Sequence, residues 1–263
     1  VILGDTMRVL ITGASSGIGY EVGVALARRG HLVYMTCRTV KEVFWLRERL
    51  IRENVSAICL KLDLLTDDIY LANSLDVDCL FNHAGIGSAG SVLTMDENAL
   101  RDVYEVNVFR SFLFLKMVSQ HMRKRHISGK IFVTSSLLGI YPLPFFGVYS
   151  SSKSAISSLV KALQQESRVL KYSISFCLVE PGAYSTGFNQ VMIDNVERYQ
   201  ILRSKFLSIH NYQRKLFSLL ESKNVSGLSN KIVSEMEKEN PKKILRIPWI
   251  QGILLKLYFL LFG

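Results

Sequence analysis

The sequence is poor in cysteine and histidine, and neither residue type is clustered. Four cysteines are spread over 263 residues without a Cys-x-x-Cys pair. Each lies in or beside an apolar run, so we interpret all four as small buried side chains in a reducing compartment. The nearest two histidines, His121 and His126, are five positions apart and would point to different faces of a helix. We therefore expect no metal site.

Carboxylates are scarce relative to cations, because 22 Asp and Glu residues stand against 32 Lys and Arg residues, which gives a formal net charge of +10. An excess of this kind is typical of proteins that bind nucleic acid or membrane surfaces. The basic residues are dispersed, however. The one tight triplet, 123–125, lies at the end of a predicted helix, where cations complement the helix dipole. We expect no nucleic-acid partner.

A long uninterrupted apolar run is also missing. The nearest approach is the C-terminal segment Ile244–Phe262, which Arg246, Gln251 and Lys256 interrupt. It falls short of the ~20 apolar residues that a membrane span needs. Two interpretations stay open. The segment could contact a membrane surface that delivers a lipid-like substrate. The interpretation that we prefer is a helix packed over the substrate cavity or against a subunit partner. A glycine-rich motif begins close to the first residue, so we expect no signal peptide and a cytoplasmic location, peripheral to a membrane under the first interpretation.

Hydrophobic residues make up 49% of the chain and charged residues 21%, which is enough for a large packed core. Apolar, β-branched runs alternate with amphipathic stretches, a pattern typical of βαβ units. We predict one α/β domain, a doubly wound parallel sheet of about seven strands with helices on both faces. The predicted strands lie near Met7–Thr12, His31–Cys37, Val55–Leu62, Asp78–Asn82, Gly129–Thr134, Tyr172–Val179 and Lys243–Ile247. The predicted helices cover about Gly17–Arg29, Val40–Glu53, Glu97–Lys124 and Val148–Leu170, with more after Asn189.

The segment Thr12–Gly19 follows the first strand and opens the first helix. Gly13 permits a tight turn, Gly17 lets backbone approach a ligand, and Gly19 allows close packing of helix against strand. The amides of a helix N-terminus suit a pyrophosphate. Because the strand, turn and helix occur in the required order, the motif predicts a dinucleotide site.

The end of the second strand indicates which nicotinamide is bound. A site for NAD usually carries Asp or Glu about 20 residues after the first glycine. This sequence has none there, and Arg38 ends the strand instead, with Lys41 one turn later. A guanidinium suits a 2′-phosphate, so NADP(H) is the preferred cofactor and NAD(H) stays open. The alternative is that Arg38 is only a solvated loop residue.

Tyr149 and Lys153 are four positions apart at the start of a predicted helix, which places a phenol and an ammonium on one face. A tyrosine with an ordinary pKa near 10 is a poor catalyst at neutral pH. A nearby ammonium favours the phenolate and so lowers that pKa. Such a pair predicts acid–base chemistry, although the spacing alone also occurs by chance.

Further motifs surround this pair in a fixed order. Ser136 lies thirteen residues before Tyr149, Asn107 lies on the preceding helix, and Asn82–Gly85 and Pro181–Thr186 follow two of the strands. With these motifs the sequence resembles the classical short-chain dehydrogenase/reductase family, nearest to its hydroxysteroid and retinol dehydrogenase branch. The resemblance implies a Rossmann fold with a cofactor-binding and catalytic core over 7–190, substrate-covering helices over 191–240, and a last strand and apolar segment over 241–263.

The resemblance also implies a role for each matching residue. Tyr149 would exchange the proton with the substrate oxygen, Ser136 would bind that oxygen, Lys153 would bind the nicotinamide ribose and lower the tyrosine pKa, and Asn107 would hold a water that links Lys153 to solvent. Together with the residues argued above, the expected cofactor contacts are Gly13, Ser15, Ser16, Gly17, Ile18, Gly19, Arg38, Asp63, Leu64, Asn82, Ala84, Gly85, Tyr149, Lys153, Pro181, Gly182 and Thr186.

Three features depart from the family pattern. His83 replaces a usual asparagine, which puts loop packing in question, and Ser152 replaces the usual alanine before Lys153. The stretch from Asp63 to Asn82 is shorter than is typical, so the third crossover helix must be stunted. The catalytic set itself is intact.

The loop between Ser136 and Tyr149 is aromatic and aliphatic, so it predicts an apolar pocket for a small carbonyl or alcohol of steroid, retinoid or other lipid-like type. The alternative is that these side chains are ordinary core. The expected substrate contacts are Ser136, Leu138, Leu143, Phe145, Phe146, Tyr149, Tyr184 and Phe188.

The leading functional hypothesis is an NADP(H)-dependent dehydrogenase or reductase. Two others stay open: a non-catalytic nucleotide sensor or scaffold on the same fold, and, less favoured, a sugar-nucleotide epimerase or dehydratase. The resemblance also implies a homodimer or homotetramer that pairs through the long helices near 97–124 and 148–170.

Overall fold

The computed structural model describes residues 6–66, 69–194 and 221–262, together with Asn211 and Lys215. The expected substrate-covering segment therefore falls partly outside the described residues, and so does the N-terminal stretch before position 6.

A seven-stranded sheet forms the centre of the molecule, in the order β3-β2-β1-β4-β5-β6-β7. Neighbouring strands pair in parallel throughout this order. The strands are β1 (Arg8–Ile11), β2 (Leu32–Cys37), β3 (Ile58–Lys61), β4 (Cys79–Asn82), β5 (Gly129–Thr134), β6 (Ile174–Pro181) and β7 (Ile244–Ile247). The predicted doubly wound parallel sheet is confirmed, with the edge strand β7 included.

Helices cover both faces of the sheet because each crossover between parallel strands passes over one face. The α-helices are α1 (Gly17–Arg28), α2 (Val40–Arg52), α3 (Glu97–Tyr104), α4 (Ser111–Lys124), α5 (Gly147–Val169), α6 (Phe188–Asp194), α7 (Val225–Met236) and α8 (Trp249–Phe262). Within the described residues, the short connection between β3 and β4 has no helix beyond a 3₁₀ turn, Ile69–Ser74, which agrees with the predicted stunted crossover.

The single helix predicted over Glu97–Lys124 is wrong in one respect. A π-helical turn, Glu105–Arg110, separates α3 from α4. The apolar periodicity continues through this turn, so a prediction from periodicity alone does not register the extra residue that a π turn inserts. The π-helical turn contains Asn107, so it sets the position of one expected site residue.

Two apolar clusters hold the helices against the sheet. One combines β1 and β2 with α1, α2 and α7, and the other combines β4 and β5 with α4 and α5. All four cysteines are buried and unbonded to one another, and each lies in a strand, as predicted. Among the described residues, no helix is both long and apolar enough to cross a bilayer.

The strand order reverses direction between β1 and β4, and the carboxyl ends of both strands open at the same edge of the sheet. In open α/β sheets a crevice forms at such a reversal, and ligands bind there. The topology alone therefore places the candidate site above Thr12 and the residues that follow β4.

Candidate active site

A cavity of about 750 Å³ opens at this edge of the sheet. One end is lined by the glycine-rich turn after β1 and by the ends of β2 and β3. The other end is lined by the loop after β5, by α5, and by the segments after β6 and β7. Most of the residues expected from sequence line it: Gly13, Ser15, Ser16, Gly17, Ile18, Arg38, Asp63, Leu64, Ala84, Gly85, Ser136, Leu138, Leu143, Tyr149, Lys153, Pro181, Gly182, Tyr184, Thr186 and Phe188.

The glycine-rich turn has the backbone geometry that only glycine adopts without strain. Gly13 has φ +70° and Gly17 has φ +59°. A Cβ at Gly13 would lie 2.8 Å from the Cα of Ala84, and a Cβ at Gly17 would lie 3.0 Å from the Cβ of Thr186. Gly19 lies outside the cavity lining, and its close packing is against the turn itself, where a Cβ would meet the Gly13 carbonyl oxygen. The turn leaves room for a ligand against the N-terminus of α1.

Thr12 connects the ends of β1 and β4 through its hydroxyl. The hydroxyl accepts hydrogen bonds from the backbone amides of His83 (2.9 Å) and Ala84 (3.0 Å), and it donates to Oδ1 of Asn82 at 3.3 Å. The Asn82 side-chain amide donates to the Ser111 carbonyl at 3.0 Å. Asn82 is expected to contact cofactor, but the structure places it beneath the cavity lining, where it fixes the loop that bears Ala84.

His83 occupies the position where the family usually has asparagine. Its Nδ1 lies 3.0 Å from Oγ1 of Thr134, and its ring stacks on Phe81 with 5.0 Å between centroids. Burial, together with the nearby Lys153 ammonium, lowers the pKa of His83 to about 3. The imidazole is therefore neutral at physiological pH and serves as a packed, hydrogen-bonded wall of the cavity. These contacts hold the loop after β4 in place.

Arg38 stands at the rim of the cavity, directly after β2. Its guanidinium lies 3.8 Å from Oε1 of Glu42, and about two thirds of the side chain is exposed. Glu42 also accepts a hydrogen bond from the Thr39 amide, which closes a capping box at the start of α2. Arg38 is thus held loosely near the cavity by a weak surface ion pair that a stronger anion can displace.

The catalytic set predicted from sequence meets at the middle of the cavity. Tyr149 and Lys153 lie in the first two turns of α5, with the Lys153 ammonium 5.8 Å from the centroid of the tyrosine ring. The ammonium donates a hydrogen bond to the Thr134 carbonyl at 3.0 Å. Ser136 caps the short turn after β5, where its hydroxyl accepts from the Leu138 amide at 3.1 Å. The end of β5 and the helix α5 therefore fix the three groups.

Burial dominates the protonation of this set. It raises the pKa of Tyr149 to about 12, and a hydrogen bond with Ser136 acts in the opposite direction. It lowers the pKa of Lys153 to about 8. The sequence predicts that the ammonium lowers the pKa of Tyr149. In the protein by itself burial has the larger effect and raises that pKa. Tyr149 consequently holds its proton at neutral pH, as a donor to a carbonyl oxygen must.

Asn107 lies under the catalytic pair, in the π-helical turn, and does not line the cavity. Its Oδ1 accepts from the Ile86 amide at 2.8 Å, and its Nδ2 donates to the Ile86 carbonyl at 2.8 Å. Nδ2 also lies 3.0 Å from Oγ of Ser152, whose hydroxyl donates to the Tyr149 carbonyl at 2.7 Å. Because alanine could not make these bonds, Ser152 adds a connection between the π turn and α5.

The apolar end of the cavity differs in part from the expectation. Phe188 packs against Tyr149, with 5.8 Å between ring centroids. Phe145 and Phe146 are expected to contact substrate, but neither is among the residues that line the cavity, and Phe146 is fully buried in the cluster behind it. Leu138 and Leu143 of the same loop line the cavity instead, and the loop turns at Phe145, which has φ +69°.

The C-terminal segment forms a helix packed over the cavity, as we prefer from sequence, but its individual lining residues and several others are not anticipated. Gln251 and Leu255 of α8 line the cavity, and Gln251 fixes the helix there: its Oε1 accepts from the Ala183 amide at 2.8 Å. Gly182 makes this approach feasible, because a Cβ there would lie 1.9 Å from the same oxygen. The remaining unanticipated set includes Ile86, Ser88, Val103, Val106, Asn189 and Val191. No local motif marks these positions.

Comparison with known proteins agrees with this geometry. The family model for short chain dehydrogenases matches residues 7–197. A 3-ketodihydrosphingosine reductase of Bacteroides thetaiotaomicron is 33% identical over 68% of this chain, which spans 65% of that reductase. The uncharacterized oxidoreductase YusZ of Bacillus subtilis is 30% identical over 95% of this chain and 91% of its own length. Human 17-beta-hydroxysteroid dehydrogenase type 1 is 31% identical over 82% of this chain and 67% of its own length.

Solved structures share the fold. A short chain dehydrogenase/reductase from Burkholderia phymatum in complex with NAD superposes with a TM-score of 0.79 at 20% identity, over 98% of this chain and 94% of that one. A short-chain dehydrogenase from Sphingobium yanoikuyae in complex with NADPH gives 0.72 at 23% identity, over 95% and 94%.

The chain belongs to the short-chain dehydrogenase family. It is an oxidoreductase of that family, and it has a Rossmann fold.

Proposed function

We propose that the protein is an NADP(H)-dependent oxidoreductase that interconverts a carbonyl and a primary or secondary alcohol on an apolar small molecule, with Tyr149 as the general acid and base. The observation that carries the proposal is the position of Ser136, Tyr149 and Lys153. They line the same cavity as the glycine-rich turn. A bound dinucleotide and a bound carbonyl would therefore share one enclosed space.

The residues present fit a dinucleotide. Gly13 and Gly17 leave a cradle that a Cβ would fill, and the N-terminus of α1 faces it. Lys153 and Thr186 would hold the nicotinamide half. When bound, the cofactor supplies or removes hydride at the reacting carbon, which the protein cannot do by itself.

The protein's own part in reduction is proton delivery and orientation. Ser136 donates a hydrogen bond to the carbonyl oxygen and holds it near Tyr149. Tyr149, whose pKa is raised to about 12, transfers its phenolic proton to that oxygen as negative charge develops there. The positive charge of Lys153 stabilises the phenolate that remains. In the oxidative direction the same groups act in reverse.

The preference for NADP(H) is supported by the charge at the end of β2. Arg38 lines the cavity at the strand end where NAD-binding sites usually carry a carboxylate. Glu42 is nearby, but its carboxylate is engaged with the Thr39 amide. A guanidinium two-thirds exposed can turn to a 2′-phosphate at little cost.

The apolar substrate is supported by the walls around Tyr149. Leu138, Leu143, Tyr184, Phe188 and Leu255 surround the space beyond the catalytic hydroxyl. Two relatives named above act, by their names, on a ketosphingoid and a hydroxysteroid, both of which carry the reacting oxygen on a large hydrocarbon body. We propose the same class of substrate here.

We further propose one catalytic domain that forms a homodimer through α4 and α5. Phe109, Leu113 and Leu159 support the pairing, because all three expose large apolar side chains on this side. Light scattering would show twice the chain mass, and a monomer would contradict the pairing.

The experiment that tests the function follows the absorbance of NADPH and NADH with a panel of apolar ketones and aldehydes. We expect turnover with NADPH, and a loss of about 10²- to 10⁴-fold in Tyr149→Phe, because the proton donor is gone. Tyr20→Phe is the matched control and should retain turnover, since it removes a buried phenol outside the cavity. Tight NADPH binding without turnover of any panel member would instead indicate a sensor.

A further inference from the structure

The helix α8 is the most apolar exposed surface in the described part of the chain. Its inner side carries Gln251, Gly252 and Leu255, which are buried against the body. Its outer side, which we call the α8 face, leaves large side chains between about a third and three quarters exposed: Trp249, Ile250, Ile253, Leu254, Leu257, Tyr258, Leu260 and Leu261. Contiguous apolar exposure of this size marks an interaction site.

The inner side of the helix belongs to the candidate active site. Leu255 lines the cavity directly, and Gln251 holds the helix to Ala183 through two hydrogen bonds, one in each direction. Phe259 contacts Tyr141, with 6.2 Å between ring centroids. One wall of the substrate cavity and the α8 face are therefore opposite sides of the same helix.

The chemistry of the face indicates its occupant. From Pro241 to Gly263 the sequence has four cations, Lys242, Lys243, Arg246 and Lys256, and no carboxylate. Arg246 pairs with the buried carboxylate of Glu180, so the excess charge lies on the three lysines. Lys256 is exposed on α8, and no carboxylate among the described residues is in ion-pair contact with it. Trp249 and Tyr258, near the two ends of the helix, are residue types that favour the boundary between hydrocarbon and water. Aliphatic bulk, aromatic ends and unbalanced positive charge complement an anionic lipid surface.

The packing of α8 sets how it can meet that surface. Gln251 and Leu255 hold one side of the helix against the body. A helix fixed in this way meets a lipid surface in the plane of the interface, with its exposed apolar side immersed.

We propose that the α8 face docks on an anionic lipid surface, so that the cavity receives its apolar substrate from the lipid phase past α8. The inference rests on the proposed function for the identity of the substrate, but lipid binding itself does not depend on catalysis. A water-insoluble carbonyl compound partitions into bilayers, and a cavity wall immersed there shortens its path to Tyr149.

The test is co-sedimentation of the full chain with vesicles of phosphatidylcholine alone and of phosphatidylcholine with phosphatidylserine. We expect binding to the vesicles that contain phosphatidylserine. The double variant Ile253→Asp/Leu257→Asp should lower the bound fraction about tenfold or more, because it removes two immersed side chains and adds negative charge. The control is Ile51→Asp/Val169→Asp, which changes two exposed apolar residues elsewhere and should bind like the parent.

Three results would overturn the proposal. The parent chain could stay in the supernatant with both vesicle types, or the α8 double variant and the control could lose binding equally. If vesicles bind nothing and the α8 double variant loses dimer mass, the occupant of the α8 face is a second copy of the chain. NADPH oxidation with a water-soluble ketone, measured without lipid, separates failure of the docking proposal from failure of the proposed function. If that activity persists in all variants, only the docking proposal is at stake.

Discussion

Backbone forms one end of the cavity, and side chains form the other. At the cofactor end the backbone makes the site, because Gly13 and Gly17 adopt positive φ and pack against Ala84 and Thr186 within about 3 Å of where a Cβ would be. At the substrate end side chains from distant segments make it, including Leu138 after β5, Phe188 after β6 and Leu255 on α8. Backbone geometry restricts residue type at each position, whereas an apolar wall accepts many combinations of similar volume. The catalytic set lies where the two meet.

The largest effect is expected where the two ends join, at Lys153. Lys153→Met should reduce turnover about 100-fold or more, because the phenolate of Tyr149 loses its stabilising charge. Steady-state kinetics would measure the loss. Lys161→Met, an exposed lysine on the same helix, is the control and should retain activity. Nearly full activity in Lys153→Met would show that the two ends function without this charge.

Lys153→Met also tests how the free energy of unfolding depends on pH. The pKa of Lys153 is lowered from 10.5 to about 8 by burial, so between these values the unfolded chain binds more protons than the folded one. The free energy of unfolding of the parent, measured relative to Lys153→Met, should therefore rise as pH increases from 8 to 10.5. Denaturant unfolding at several pH values would show this. A flat or falling difference would contradict the assigned burial of the charge.

Gly13→Ala tests the backbone-built end. We expect cofactor affinity to fall about tenfold or more, because the new methyl group meets the Ala84 backbone at 2.8 Å and forces the cradle open. Fluorescence titration with NADPH would measure it. Gly30→Ala is matched in backbone strain, with φ +88° but nothing within 4 Å of its Cβ. It should cost stability by about 1–2 kcal/mol and leave affinity intact. Equal affinities in both variants would remove close packing as the basis of this end.

These predictions also show why the cofactor end could be predicted from sequence. The motif Thr12–Gly19 and the residues Ser136, Tyr149 and Lys153 have fixed spacings because each position carries a backbone or chemical constraint. The structure brings most of the motif and all three of these residues to one cavity. The parallel sheet could also be predicted. Strands buried on both faces read as apolar, β-branched runs, and the helices between them read as amphipathic stretches.

The substrate end and the π-helical turn could not be predicted in the same way. Phe145 and Phe146 were equally suitable wall residues by composition, and only their direction in the folded loop excludes them. Gln251 lies more than 100 residues from Ser136 in sequence, so no local pattern connects them. Asn107 was identified by resemblance, but its π turn depends on contacts with Ile86 and Ser152 that only the tertiary structure provides.

Arg38→Asp addresses the outer edge of the cofactor end, where a side chain rather than backbone determines the choice of nicotinamide. The ratio of kcat/KM for NADPH to that for NADH should fall about tenfold, since a charged hydrogen bond is lost and replaced by repulsion. Arg52→Asp, an exposed arginine at the far end of α2, is the control. An unaltered ratio would count against a 2′-phosphate contact at this position.

The smallest effect is expected at Ser152. Ser152→Ala removes the hydroxyl between Asn107 and the Tyr149 carbonyl, while both hydrogen bonds of Asn107 to Ile86 remain. We expect about 1 kcal/mol of lost stability and turnover within about threefold of the parent. Ser158→Ala, whose hydroxyl bonds Ser154 on the exposed side of the same helix, should change neither. A tenfold loss of turnover would give Ser152 a role in positioning Tyr149.

The central claim is that a phenolic proton and a cofactor-borne hydride reach one carbonyl group inside this cavity. NADPH that carries deuterium at nicotinamide C4 tests it most directly, with an apolar ketone as acceptor and mass spectrometry of the alcohol. We predict that the parent places the label on the carbinol carbon, and that Tyr149→Phe binds NADPH within about twofold of the parent yet forms almost no labelled alcohol. Labelled alcohol produced by Tyr149→Phe at the parental rate would contradict the account.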